Sequence, residues 1–328
     1  MKVTDLAVIF ILFTVPFLLL MEIKEENLNY VSYKQVELNR YFDTAVEDGV
    51  SVIYDNGKID KNRAIDTFFK TLFINFKINE DAYLKTNLIN YIPAIVVIEN
   101  DGFEILSHKE FTNSDNMKES KMIWNPKVFY SYVDNKFIYK FYIDDNLTIC
   151  EKATKKLHKG SYKFIANTVD ISDSILQNEN EYKSIKQREI VKLLQKDINY
   201  EINKHNDIIK NLGIDYQFAL PLISDDNWAN SITDIGMMVF FQGMPIGSLG
   251  NRYSNFVLGG SKVLKGRKYY VVTEKTTGRK EYHIEGCSIL ENAKDDIKSN
   301  PETTLYKIEE YSSKYEAAKS GAFPCENH

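Results

Sequence analysis

The chain has 328 residues, 27% of them charged and 44% hydrophobic, enough for one large domain or two modest ones around a real core. A net charge of -5 excludes the dense Lys/Arg stripe of a nucleic-acid backbone binder, so no nucleic-acid partner is expected. Three cysteines, Cys150, Cys287 and Cys325, exclude a disulfide-dense secreted scaffold and allow one bridge at most.

From Leu6 to Met21 the chain runs sixteen residues without a charge. That is a little short of the roughly 20 residues of a spanning helix. It is also long for the apolar region of a cleaved signal, and no small-x-small site precedes Glu22. The reading is an uncleaved anchor over residues 1–24 in contact with membrane lipid, with a cleaved signal peptide as the alternative. Pro16 lies inside the run, where membrane helices tolerate it. Lys2 precedes the run and Glu22, Glu25 and Glu26 follow it, which puts the N-terminus in the cytoplasm and the body outside the membrane.

The helix is expected to continue without a breaker to Gly49. Leu28, Val31, Leu38, Phe42, Ala45 and Val52 recur on one seam at alternating spacings of three and four. That seam faces either the core of the body or a neighbouring copy or partner helix, through Leu28, Val31, Leu38, Phe42 and Ala45. A second helix starts at Asp60, a good N-cap, with Ile65, Phe68, Phe69, Leu72, Phe73 and Phe76 on one face. Residues 93–98 and 103–106 form a hairpin about Glu99–Gly102, and Val128–Val133 pairs with Phe137–Ile143. A charged amphipathic helix covers residues 179–212 and stops at Gly213. Strands are expected at Tyr216–Ile223, Met237–Phe241, Asn255–Leu258 and Tyr269–Thr273. Gly243–Gly250 matches no phosphate-binding pattern and reads as a loop. The order gives an α+β fold with antiparallel sheet and packed helices. It divides into an anchor (1–24), an α+β body (25–262) and a small zinc-knuckle-like module (263–328).

The strongest chemical signal is C-terminal. His283 and Cys287 stand four apart, and Cys325 and His328 three apart, which together give the Cys₂His₂ set preferred by tetrahedral zinc. All four positions would be filled by protein, so the zinc would be structural. Tyr282, His283, Cys287, Leu290, Ala317, Gly321, Pro324 and Cys325 resemble the YHxxxCxxL…AxxxGxxPCxxC pattern of bacterial metal-binding tails of the Ada type. The resemblance covers residues 282–328 and implies a bound zinc, with His328 in place of the last cysteine. DNA-repair chemistry is not carried over. The competing readings of the cysteines are a Cys287–Cys325 disulfide and two unlinked thiols.

His108 and His158 lie in polar sequence and read as solvated, and His205 reads as a helix-surface residue. Cys150 has no histidine near it in sequence, and no hydrolase, kinase or nucleotide-binding motif is present, so the chain reads as non-enzymatic. Its abundant Lys, Asn and Ile match the usage of AT-rich bacterial genomes. An apolar helix running into a seam-bearing helix and then a sheet resembles the layout of pilin-like and TadE-like proteins over about the first 55 residues. That resemblance implies a membrane-anchored subunit of a bacterial cell-surface or secretion assembly. The alternative is an extracytoplasmic sensor, because the hairpin around Asn100 after membrane-proximal helices resembles PAS-like (Cache) domains.

Overall fold

The structure is a computed structural model that describes residues 3–55, 58–114, 116, 118–211, 215–221, 228, 232–261, 269–284, 287–300, 303–311 and 314–325. The chain divides into two compact units, Met1–Ser261 and Lys262–His328.

In the first unit, α1 (Val3–Ser51) leads to the short pair β1 (Tyr54–Asp55) and β2 (Lys58–Ile59), then α2 (Lys61–Asn75) and α3 (Ala82–Ile89). Strands β3 (Ala94–Glu99), β4 (Gly102–Thr112), β5 (Lys118–Trp124) and β6 (Val128–Phe129) follow. Next come β7 (Ser131–Val133), β8 (Phe137–Phe141), β9 (Asn146–Glu151), β10 (Leu157–Ser161), α4 (Tyr162–Thr168) and α5 (Glu179–Asn211). The unit closes with β11 (Gly236–Pro245) and β12 (Arg252–Gly260). A six-stranded sheet has the order β12-β11-β3-β4-β5, with β6 on β4, and a four-stranded sheet the order β10-β9-β8-β7. Every pairing in both sheets is antiparallel. The α+β class with antiparallel sheet is thus what the chain adopts.

Strand β3 reads as a continuous apolar run because it is covered on both sides. Ala94, Val96 and Ile98 join the cluster under α5, together with Tyr139, Phe141, Leu194, Ile198 and Ile202. On the opposite side α1 packs over β11 and β12 and against α2. The α1 seam is spent there. Val31, Leu38, Phe42 and Ala45 are buried, and the Phe42 ring lies 4.2 Å from that of Phe241. These four residues therefore belong to the core of the body; Leu28 alone of the five is exposed, at 50%. Gly49 does not end the helix. A Cβ there would meet the Ala64 carbonyl and Met237 Cε, each at 2.9 Å, so the missing side chain lets α1 cross α2 closely.

Among the described residues no helix is long and apolar enough to cross a membrane. Of the sixteen-residue uncharged run, the described side chains begin at Phe10, leaving twelve to Met21, or about 18 Å of helix. From Phe10 to Glu26 no side chain is buried.

Asp60 caps α2 as its type and position predict, accepting the Arg63 N–H at 3.0 Å. The second hairpin is shorter than its sequence suggests. Ser131 pairs with Lys140, but Val128 and Phe129 pair back onto Phe103 and Gly102. Buried Tyr130 is the switch point: its N–H donates to Asp101 O at 3.4 Å and its carbonyl accepts from Phe141 N at 2.8 Å. The strand expected at Tyr216–Ile223 is not a strand over its described part, residues 216–221. Side-chain amides replace the ladder. Asn206 exchanges two hydrogen bonds with the Phe218 backbone at 2.7 and 2.9 Å, and Gln242 exchanges two with Ala219 at 2.6 and 2.9 Å. The expected loop from Gly243 is strand as far as Pro245, with a bulge between Phe241 and Met244. Gly213 lies outside the described residues.

In the second unit, β13 (Tyr269–Glu274) and β14 (Lys280–Ile284) lead to α6 (Ser288–Ser299), β15 (Tyr306–Tyr311), α7 (Lys314–Lys319) and β16 (Phe323–Pro324). The sheet order is β15-β13-β14-β16, with β16 parallel to β14. Its two faces bury separate small clusters. Val272, Cys287, Leu290, Ala293 and Cys325 form one, and Val271, Tyr282, Ala317 and Ala322 the other.

Candidate metal centre

Three of the four sequence-predicted ligands come together. His283 is the fourth residue of β14, opposite Tyr270 of β13. Cys287 stands at the N-cap of α6, held by its N–H to the Ile284 carbonyl at 3.2 Å. The third, Cys325, follows β16 and donates its N–H to the Tyr282 carbonyl at 3.2 Å. The parallel pairing of Tyr282 with Pro324 sets its register, so residues 42 apart in sequence meet at one end of one sheet. His328 lies outside the described residues.

The donor atoms of His283, Cys287 and Cys325 all lie within 4.8 Å of one another, and all three side chains are buried. Cys287 Sγ is 3.4 Å from His283 Nδ1. Two ligands on a tetrahedral zinc stand roughly 3.5 Å apart when one is thiolate and the other imidazole. No disulfide joins Cys287 and Cys325. Burial, soft donors and a nitrogen ligand on a rigid strand make a set that fits zinc. The electropositive end of α6 favours the negative charge of a metal thiolate at Cys287.

A second polar cluster, in the first unit, corrects two sequence readings. His108 and His205 are not solvated: they are 4% and 1% exposed. His205 donates from Nε2 to the Asn90 carbonyl at 2.8 Å, and His108 from Nε2 to the Ile89 carbonyl at 3.3 Å. The Ser120 hydroxyl lies 3.0 Å from His108 Nδ1. Beside them Glu201 accepts from Ser107 Oγ at 2.6 Å and from Lys109 Nζ at 2.7 Å. Burial pushes the Glu201 carboxyl up, but hydrogen bonds from Lys109 and Ser107 outweigh it and hold the group below its ordinary range. Burial lowers both imidazoles, His205 to about 3 with a further push from His108. The signal was in the spacing. Ile198, Glu201, Ile202, His205 and Ile209 fall on one helical stripe, and polar residues on an apolar stripe are buried with partners. His158 is half-buried, and Cys150 lies within β9, also half-buried. Asp144 accepts from Asn100 Nδ2 at 2.9 Å and so ties two hairpins together.

Compared with family models, curated proteins and solved structures, the chain matches none.

Proposed function

We propose that the chain is a membrane-anchored, non-enzymatic structural or accessory subunit of a bacterial cell-surface or secretion assembly. The observation that carries this reading is the division of labour along α1. One continuous helix of 49 residues bears bare apolar side chains from Phe10 to Met21, then enters the core from Asn27 onward. Phe10, Phe13, Phe17 and Leu20 are each more than 60% exposed, a concentration of apolar surface that water disfavours and lipid accepts. Counted on the sequence, the uncharged run is about 24 Å of helix, and tolerable thinning or snorkelling covers the remaining few Å. Because the same helix builds the core, motion of the anchor is coupled rigidly to the body, as a pilin-like subunit requires.

The same proposal assigns His283, Cys287 and Cys325, with His328 as the fourth ligand expected from the sequence, to one structural zinc that staples the C-terminal unit. The two clusters of that unit are small, and a metal is the usual supplement to so small a core.

Topology tests the reading. Protease added to intact cells after removal of the wall should cut the body while sparing the N-terminal segment, and detergent should be needed to release that segment. A body that is cut only after cell lysis contradicts the proposed orientation.

A further inference from the structure

The four-stranded sheet buries one face and leaves the other bare. Tyr139, Phe141, Leu147 and Ile149 point into the core. On the opposite face the register aligns Val133, Ile138, Cys150 and Leu157 in one row across β7, β8, β9 and β10. Val133 is 55%, Ile138 43% and Leu157 68% exposed, with Cys150 half-buried between them. Strand spacing makes the row about 14 Å long. A solvated sheet face alternates polar residues here; four aligned apolar ones form a stripe.

Lysines border the stripe. Lys155 and Lys156 lie in the β9–β10 turn and Lys159 in the next outward row, all exposed. Among the described residues none of the three takes part in an ion pair, whereas nearby Lys140 is held by Asp101 at 2.8 Å. From Lys152 to Val169 the sequence has no Asp or Glu, although the chain as a whole is acidic. Lys159 on edge strand β10 also guards that edge against strand addition, which leaves the face as the surface to be met.

Helix α1 fixes where this face stands. Asn27, the first buried of the described side chains of α1, holds the β11–β12 turn by accepting from Ser248 N at 3.0 Å, and Val46 and Val50 reach Gly259 near the far end of β12. The four-stranded sheet joins that far end. There Ile143 N donates to Asn100 O at 2.7 Å, and Asn100 lies in the β3–β4 turn. From Asn27 to Val50 is about 35 Å of helix. The face therefore lies well away from the point where the apolar segment leaves the body.

We infer that this face docks a protein partner through an acidic surface that carries apolar side chains, and that lipid is not its ligand. The stripe supplies apolar contact and the unpaired lysines supply charge complementarity and steering. The choice of protein over lipid rests on the anchoring proposed above; the stripe and its lysines do not.

Cys150 offers a native readout at the centre of the row, since Cys287 and Cys325 are buried. The full chain, in neutral phosphatidylcholine nanodiscs or in plain buffer if it needs no lipid, is alkylated with N-ethylmaleimide. The probes are a ten-residue alternating Leu-Glu peptide, its Leu-Lys counterpart, and phosphatidylglycerol vesicles. Mass action predicts that the Leu-Glu peptide slows Cys150 alkylation about tenfold when present at roughly ten times its Kd. The Leu-Lys peptide and the vesicles should leave the rate unchanged. Replacing Lys155, Lys156 and Lys159 together by Glu should abolish the protection with the melting temperature unchanged, and the milder Gln replacements should weaken it. Protection by vesicles in place of the peptide would make the face a lipid surface, and no protection, or protection that survives the Glu variant, would overturn the inference. Failure of anchoring alone shows as a chain that needs no nanodisc and does not alter this readout.

Discussion

The imidazoles of His108 and His205 stand 4.7 Å apart, centroid to centroid, and join β4 to α5. The Ile89 carbonyl takes an N–H from His108 and the Asn90 carbonyl one from His205, and burial outweighs the pull of those carbonyls and favours the neutral form of both rings. Two cations at that separation would repel, and among the described residues neither ring pairs with a carboxylate: Glu201 is committed to Ser107 and Lys109.

Acid should therefore destabilise the first unit early. The unfolded histidine binds a proton near pH 6.5, whereas folded His205 does so only near 3, so the unfolded state holds more protons between these values. Stability is full above pH 6.5 and falls as pH drops, with a slope of up to about 1.4 kcal/mol per pH unit for each such histidine. Denaturant melts between pH 7 and 5 measure this slope above the carboxylate range. His205→Phe, facing Phe218 at a ring separation of 4.8 Å, should flatten it.

Truncating the α1 seam should unfold the body and not merely dissociate copies of it. Phe42 is fully buried between Phe241 and Tyr253, so Phe42→Ala should cost about 3–5 kcal/mol. Gly49→Leu should be similarly harmful, because Ala64 O and Met237 Cε already occupy the space. Val36→Ala, on an exposed α1 position, is the control and should leave the melt unchanged. Chemical denaturation of each variant reads the difference.

Metal content should follow the cysteines. Purified protein is expected to carry about one zinc per chain, and Cys287→Ser should release it and expose the C-terminal unit to protease. Chelation of the wild type should reproduce that sensitivity. A metal-free chain two hydrogens lighter in mass than the dithiol would make the pair a disulfide instead.

How far sequence carries depends on whether an element is shaped by its own pattern or by a distant one. The Asp60 cap and the β3–β4 hairpin were legible, because local side chains and a Gly turn decide them. His283 and Cys287 could be paired from their spacing, but Cys325 reaches them only through a parallel two-residue contact between β14 and β16, which no local pattern announces. Residues 216–221 carry strand-forming side chains, yet Asn206 and Gln242 satisfy their backbone and no ladder forms. Strand β5, Lys118–Trp124, is an exposed edge of largely polar residues and gives no apolar alternation to find. His205 was misjudged on residue type alone; its place on the buried stripe of α5 was the better guide.

Attachment to the membrane through the N-terminal helix is tested most directly by alkaline carbonate extraction followed by N-terminal sequencing of the pellet. The account predicts a chain that stays with the membrane, leaves it only in detergent, and still contains the Leu6–Met21 run. A chain that is released by carbonate, or that begins downstream of Met21, would contradict it.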